Sequence, residues 1–596
     1  MKKSHMGKSV WAVAENKALT YLSSIGNETG QYFKPERGNT MKAKSLKLRM
    51  LLALASVVIL MATQTTFACT SIPVTPGASV DGSSMTTHND DSTTDDFHIK
   101  IVREKDWTSG SMRPVLKNTD KDEYYQLQAP IVQTGEIAQV AHTYSFVDST
   151  YSFMNEKQVG MGETTIGQRG ELNNNKGWFD HVELMRLALE RASTAREACI
   201  IMGTMAEKYG YCVSGELLTV IDPNEVWFFE IFGPGALWDP NSGEPGAVWV
   251  AQRIPDGHVG VSANRSRIGA INIDDKQNFI ASPNIHSLAI QNGWWDPKSG
   301  KEFKVYEVYG GNKLSLGSRR REWRVLSLLA PSLKLDPWAE QHPFSIKPDN
   351  KVSAQDLMRI SRDHYEGTEF DMTKMFISGP FGNPAPVTPA ASANPAGSSG
   401  FERAISIQGC NYHTVVVARK WLPDWIGGMT WFGYASPNTT CYFPLYCGTK
   451  ELPKSFATGM RGGQYDFFSK ESAWWAFNFV DNFVGMAYSY MIKDVNEVKN
   501  KIEGEFFAMQ PVIEKAAAEL YAKDPELARN FITNYTVAAA NKVTDAWYDL
   551  ASKLITRYND GRIFGDYPTF KMDRVYVPND WVKNTDYGKS TIPPAK

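Results

Sequence analysis

An α+β architecture, an antiparallel sheet covered by helices, is the fold class the sequence predicts, and three observations point to it. Short apolar runs bounded by turn residues fill residues 69 to about 250, a helical pair is set among them, and sustained helical periodicity takes over from about 494. At 596 residues, 42% apolar and 21% charged, the chain has the composition of an ordinary globular protein and the length to bury a large core.

We read residues 1–40 as an upstream extension outside the native chain, because Met41 opens a leader of its own. Lys42, Lys44, Lys47 and Arg49 precede an apolar or small run from Met50 to Ala62, and Thr66-Phe67-Ala68 offers small residues for cleavage before Cys69. Residues 41–68 are therefore expected to be a signal peptide, and the product to be exported to the periplasm or the medium. The apolar run is shorter than the roughly 20 residues of a comfortable span, so no stable membrane insertion is expected after cleavage. Loss of residues 1–68 removes ten basic and three acidic residues from totals of 63 and 65, leaving a net charge of −9. Such a surface argues against a nucleic-acid partner.

"TSIPVTP" and "SSMTTHND" read as strands flanking "GASVDGS", whose Asp81-Gly82 is a hairpin signal. "WFDHVELMRLALERASTAREACIIMGTMAEKYG" has apolar residues at helical spacing and predicts a helical pair ending at Gly210. "GELLTVIDPNEVWFFEIFG" predicts two strands around Asp222-Pro223-Asn224, and "GAVWVAQRIP" another. Residues 382–400, rich in Pro, Ala, Ser and Gly, form a loop or linker. "AISIQGCNYHTVVVARKWLP" and "GGMTWFGYA" are further strands within a main domain of 69–493. Residues 494–596 are a mainly helical extension that carries packing rather than chemistry.

The six cysteines include no CxxC and no metal-like cluster; Cys441 with Cys447 and Cys199 with Cys212 are candidate disulfides, while Cys410 is expected to be buried or bridged. HExxH, GxSxG, P-loop and GxGxxG motifs are absent. What remains is the mature N-terminus. A cysteine freed at its own α-amine carries a base of pKa about 8 beside a thiol of about 8.5. The amine takes the thiol proton, the thiolate attacks a carbonyl, and the ammonium protonates the leaving amine. A turn centred between about residues 79 and 81 places Cys69 opposite a residue between 89 and 93. Asn89, Asp90 and Asp91 fall in that window, where a carboxylate would hold the ammonium near the sulfur.

"ACTSIPV…GASVDGSSMTTHNDDS" resembles the start of the dipeptidases of peptidase family C69, relatives of secernins. The resemblance continues through "YSFMNEKQVGMGETTIG", "VSANRSRIGAINIDDKQNFIASPNI", "GSRRREWRVLSLLAPSLKL", "HYEGTEFD" and "WIGGMTWFGYASPNTTCYFPLY". It implies a four-layer αββα N-terminal nucleophile hydrolase sandwich. Cys69 then matches the nucleophile and, through its amine, the base; Asp91 matches the aspartate that orients the amine. His88 stands where many relatives have arginine, which leaves charge stabilisation there dependent on pH. Asn264 matches the oxyanion-binding asparagine, with backbone groups around Glu163 and Thr164 completing the hole. The active-site arginine is Arg321 or Arg320, although without the resemblance three arginines in a row read as a solvated face. A dipeptide's ammonium needs a carboxylate, for which Asp90, Glu163 and Glu366 are the candidates. Asn155 and Glu156 read as structural.

The expected activity is hydrolysis of dipeptides or short peptides through an acyl-enzyme, with neither metal nor other cofactor, in a chain that the family likeness allows to be a homo-oligomer. Two alternatives stand beside it. One is an N-acyl amidase of the penicillin V acylase or choloylglycine hydrolase type, which would need an apolar trough. The other is a non-enzymatic envelope lipoprotein lipidated at Cys69.

Overall fold

"SSMTTHND" folds as expected into β1 (Ser84–Asp90), buried along its whole length. The segment before it does not become a strand. Pro73 lacks an N–H, and Ile72 N donates to the Thr87 side chain at 3.0 Å rather than to a ladder carbonyl. Isolated bridges result: Val74 pairs with Met85 and Val259, and Ser71 with Ser262. The Val74–Met85 pairing carries back to Cys69 opposite Asp90, inside the expected window. The computed structural model describes residues 69–92, 97–118, 131–311, 315–385, 402–457, 468–565, 571–583 and 585. Residues 1–68, with the extension and the leader, and the loop from residue 386 to 401 lie outside the described residues.

Eight antiparallel strands follow in chain order: β2 (Lys100–Val102), β3 (Phe146–Asp148), β4 (Met154–Asn155), β5 (Gly160–Thr165), β6 (Glu216–Ile221), β7 (Val226–Phe232), β8 (Val248–Arg253) and β9 (Phe279–Ala281). They form one sheet in that same order. Between β6 and β7, Asp222 Oδ1 accepts from Asn224 N at 2.7 Å and Glu225 N at 2.9 Å, which closes the expected turn. A second sheet runs β1, β10 (Tyr412–Ala418), β11 (Met429–Tyr434) and β12 (Phe443–Tyr446). β1 pairs antiparallel with β10 from Ser84–Ala418 to Asp90–Tyr412, so residues more than 300 positions apart share a sheet.

The two sheets meet face to face around β1, β5 and β6. Thr86 Oγ1 lies 2.6 Å from Thr219 Oγ1, and a Cβ at Gly162 would stand 2.5 Å from Thr87 O. Most of the apolar core lies between the sheets and under the C-terminal helices. Helices α1 (His181–Arg191) and α2 (Ala195–Tyr209) cover the outer face of the eight-stranded sheet. Asp180 and Thr194 cap their N-termini, and Gly210 ends the pair at φ 89°, as the periodicity predicts. The longer helices after these are α3 (Leu316–Leu329), α4 (Ala473–Val484), α5 (Tyr488–Tyr521) and α6 (Pro525–Arg557). Helix therefore begins at Ala473, ahead of 494, and the last three lie on the outside of the smaller sheet: Phe507 of α5 packs at a tilt on Trp431 of β11, and Trp547 of α6 stacks with Phe477 of α4. The structure is a mixed α/β fold with several sheets and a helical C-terminal part.

All six cysteines are free thiols, so neither candidate disulfide forms. Cys199 is buried on α2 and the Cys212 thiol donates instead to Phe179 O at 3.1 Å. The Cys447 thiol donates to Asp424 O at 3.0 Å. Asn155 and Glu156 are structural, as expected: the Asn155 amide ties Leu189 O and Ala192 O at the end of α1, and Glu156 accepts from Ser145 N and Trp425 Nε1.

Candidate active site

Cys69 sits at the N-terminal end of the segment held between β1 and residues 258–262, 2% exposed. Thr70 N donates to Asn89 Oδ1 at 2.6 Å, which pins this end to the C-terminal end of β1. Asp91 follows directly. Its carboxylate accepts from Asn89 Nδ2 and, at 2.5 Å, from Arg403 Nη2, and its backbone N–H faces the Cys69 sulfur. Asp90 accepts from the side-chain amide of Asn411 at 3.2 Å and from its backbone N–H at 2.7 Å.

Arg321 of α3 joins these parts. Its Nη1 donates to Cys69 O at 2.6 Å and Thr70 Oγ1 at 2.8 Å, while Nη2 donates to Asn264 Oδ1 at 2.8 Å and Ala263 O at 3.2 Å. That donation orients the Asn264 amide, whose Nδ2 points the other way and donates to Thr165 O at 3.0 Å. Asn264 holds φ 64°, a left-handed conformation that asparagine tolerates better than most residues. Glu163 and Thr164 lie in the β5–β6 ladder opposite Leu218 and Leu217. Glu163 is fully buried, 3.4 Å from His88 Nε2 across the two sheets. Cys69, His88 and Glu163 each bring one donor atom within 4.8 Å of the others, as do Glu163, His181 and Glu216.

The sequence profile of peptidase family C69 matches residues 68–501. The chain belongs to that family. A probable dipeptidase of Latilactobacillus sakei is 25% identical over 401 residues, covering 65% of this chain and 76% of the relative. One of Salmonella dublin is 25% identical over 409 residues, covering 67% and 85%. Probable dipeptidase A of Streptococcus pyogenes serotype M18 is 20% identical over 515 residues, covering 83% and 98%.

In this C69 peptidase helix geometry turns Arg320 and Arg321 toward different partners. Successive helical residues point about 100° apart. Arg321 faces Cys69, whereas Arg320 stacks on Phe370 and Trp338 with ring distances of 3.4 and 4.2 Å and pairs with Glu402. Both are buried, so the arginine run is not a solvated face. Glu366 is not brought to Cys69 by any described contact. Its half-exposed carboxylate caps its own loop, accepting from His364 N at 2.6 Å and contacting His364 Nδ1 at 3.0 Å.

Several residues that hold the C69 peptidase's site escaped the sequence reading. Arg403 sets a guanidinium against Asp91, while His88, which stands where many relatives carry arginine, faces Glu163 instead. Tyr365, buried at φ 66°, donates its hydroxyl to Arg403 O at 2.5 Å. Its loop is tied to α3 by the paired Arg324–Asp363 bonds of 2.7 and 2.6 Å. On the other side Glu322 binds Arg265 at 2.8 Å and Arg267 at 2.6 Å, and Glu230 of β7 accepts from Ser266, Arg267 and Ile268. These bonds fix the loop that presents Asn264. A glutamate within the apolar strand "VWFFEIF" and two arginines bracketing a serine were the only sequence signals.

Burial, and then the charges of Glu163, Asp91 and Asp90, push the Cys69 thiol well above its ordinary pKa. Burial raises Asp91 too, against the opposing pull of Arg403 and Arg321. The Arg321 guanidinium comes down to about 9, through burial and the like charge of Arg403. Burial acts upward on Glu163, but the adjoining His88 imidazole and Glu216 carboxyl outweigh it and hold the Glu163 carboxyl below its usual range.

Proposed function

We propose that this C69 peptidase is an exported enzyme hydrolysing dipeptides or short peptides with free N-termini, through an acyl-enzyme on Cys69 exposed by leader removal. The family match beginning at residue 68 and the dipeptidase names of its relatives support the substrate class. One observation carries the mechanism: the Arg321 guanidinium binds Cys69 O and Asn264 Oδ1 together, gathering three residues far apart in the chain. The two packed sheets, helix-covered on both outer faces, we read as the αββα sandwich of an N-terminal nucleophile hydrolase.

In the mature enzyme the α-amine of Cys69 takes the thiol proton, and Asp91, held by Asn89 and Arg403, steadies the ammonium that forms. The thiolate attacks the peptide carbonyl. The Asn264 amide, oriented by Arg321, stabilises the oxyanion. The ammonium then protonates the leaving amine, and water releases the acyl group. Glu163 and Asp90 are suited to hold the substrate's own ammonium. That cation would offset the negative field opposing the thiolate, so substrates with free amines activate the nucleophile that cleaves them.

This polar, carboxylate-rich surrounding favours a peptidase over an acyl amidase, whose substrate needs an apolar trough. Mass spectrometry of the purified protein is expected to find an unmodified N-terminus at Cys69, and Cys69→Ala to abolish dipeptide hydrolysis with an unchanged circular dichroism spectrum. Diacylglyceryl modification, or turnover by the variant, refutes the mechanism.

A further inference from the structure

We propose that Cys69, His88 and Glu163 form a binding site for a thiophilic divalent cation of the Zn2+ class. Their donor atoms lie within 4.8 Å of one another at the junction of the two sheets. His88 Nε2 and Glu163 Oε2, on side chains 1% and 0% exposed, stand 3.4 Å apart, and neither has a hydrogen bond among the described residues. A buried imidazole nitrogen and a buried carboxylate oxygen thus share one small space with a thiol.

The donor set and spacing suit a tetrahedral ion. Ligand atoms around zinc lie roughly 3.5 Å apart, as the His88–Glu163 pair already does, and Cys69 needs to close by at most about 1 Å. On binding, the thiol proton leaves to solvent and a sulfur–metal bond forms. One thiolate and one carboxylate then neutralise the divalent charge in a place where an uncompensated ion is costly. Sulfur and imidazole donors select Zn2+ and Co2+ over Mg2+ and Ca2+. Behind Glu163, Glu216 and His181 complete a second group whose donor atoms lie within 4.8 Å of one another. Leader cleavage would add the Cys69 amine as a fourth donor. The consequence for catalysis, a cation that captures the thiol and competes with the substrate's ammonium, rests on the reading of Cys69 as nucleophile. The cation site itself does not.

The test is a titration of the purified protein with Co2+, followed by thiolate-to-cobalt charge-transfer absorption in the near ultraviolet. A single equivalent is expected to produce the band, Zn2+ to displace it, and Mg2+ to leave it unchanged. Cys69→Ala should lack the band. His88→Gln and Glu163→Gln, checked for folding by circular dichroism, should bind Co2+ about tenfold or more weakly. A missing band in the unaltered protein, displacement by Mg2+, or undiminished affinity in folded His88→Gln would each overturn the site. No hydrolysis is read in this titration, so its failure and the failure of the peptidase mechanism are separately visible.

Discussion

Asp91 shows how narrowly a single buried charge is balanced. Its carboxylate is fully buried and leans on Arg403, whose own side chain is 20% exposed. Burial alone would keep the group protonated; Arg403 and Arg321 pull against it. Removing Arg403 leaves burial less opposed, so ionisation moves to higher pH. In the proposed mechanism the ionised form holds the catalytic amine, and the acidic limb of kcat/KM should therefore shift upward in Arg403→Gln by about one unit. The same substitution strands a buried carboxylate and should cost about 3 kcal/mol in denaturant unfolding. An unmoved acidic limb would show that Asp91 does not act through its charge. At this scale Cys69 and the window of Asn89, Asp90 and Asp91 were readable from the chain through the register of a short turn, and Asp91 within that window through the family resemblance. Arg403 was not, because 312 residues separate it from its partner.

Strands β1 and β5 set the distance between the segment that carries Cys69 and the Glu163 carboxylate facing it. Gly162 makes that approach close: an added methyl would meet Thr87 O at 2.5 Å and Thr219 Oγ1 at 2.7 Å. Backbone oxygen has no rotamer by which to yield, so the sheets must part. Gly162→Ala is expected to destabilise the fold by about 1–3 kcal/mol. It should also lower kcat more than the lost stability explains, since the shift is transmitted along β1 to Asn89 and Asp91. Thermal melting paired with dipeptide kinetics checks this, and wild-type values in both would show that the sheets have slack. The helices and most strands were legible because their periodicity and caps are local. The segment before β1 was misread as a strand because only Val74 pairs with β1, through Met85, while others of its hydrogen bonds go to the Thr87 side chain and to residues 258–262, partners that no local pattern names.

For the whole molecule, the C-terminal helices complete the core that the smaller sheet cannot close by itself. Arg362 donates to Glu503 and Arg419 to Glu514, each at 2.5 Å, and both glutamates lie on α5. A chain ending at Lys493 would leave both arginines without these partners and uncover Trp431. It should lose cooperative thermal unfolding and near-ultraviolet circular dichroism; a cooperative, active fragment would show the helices to be dispensable. The sequence by itself determined the family, the α+β class, the nucleophile candidate and its acidic neighbour, because each rests on contiguous motifs or local register. Only the tertiary structure decided that Arg321 rather than Arg320 meets Cys69, that Arg403 rather than His88 balances Asp91, that Glu366 is spent on its own loop, and that the cysteines stay apart. The physical reason is common to all four: which face of a helix turns inward, and which distant loop reaches a buried charge, is settled by packing between the sheets.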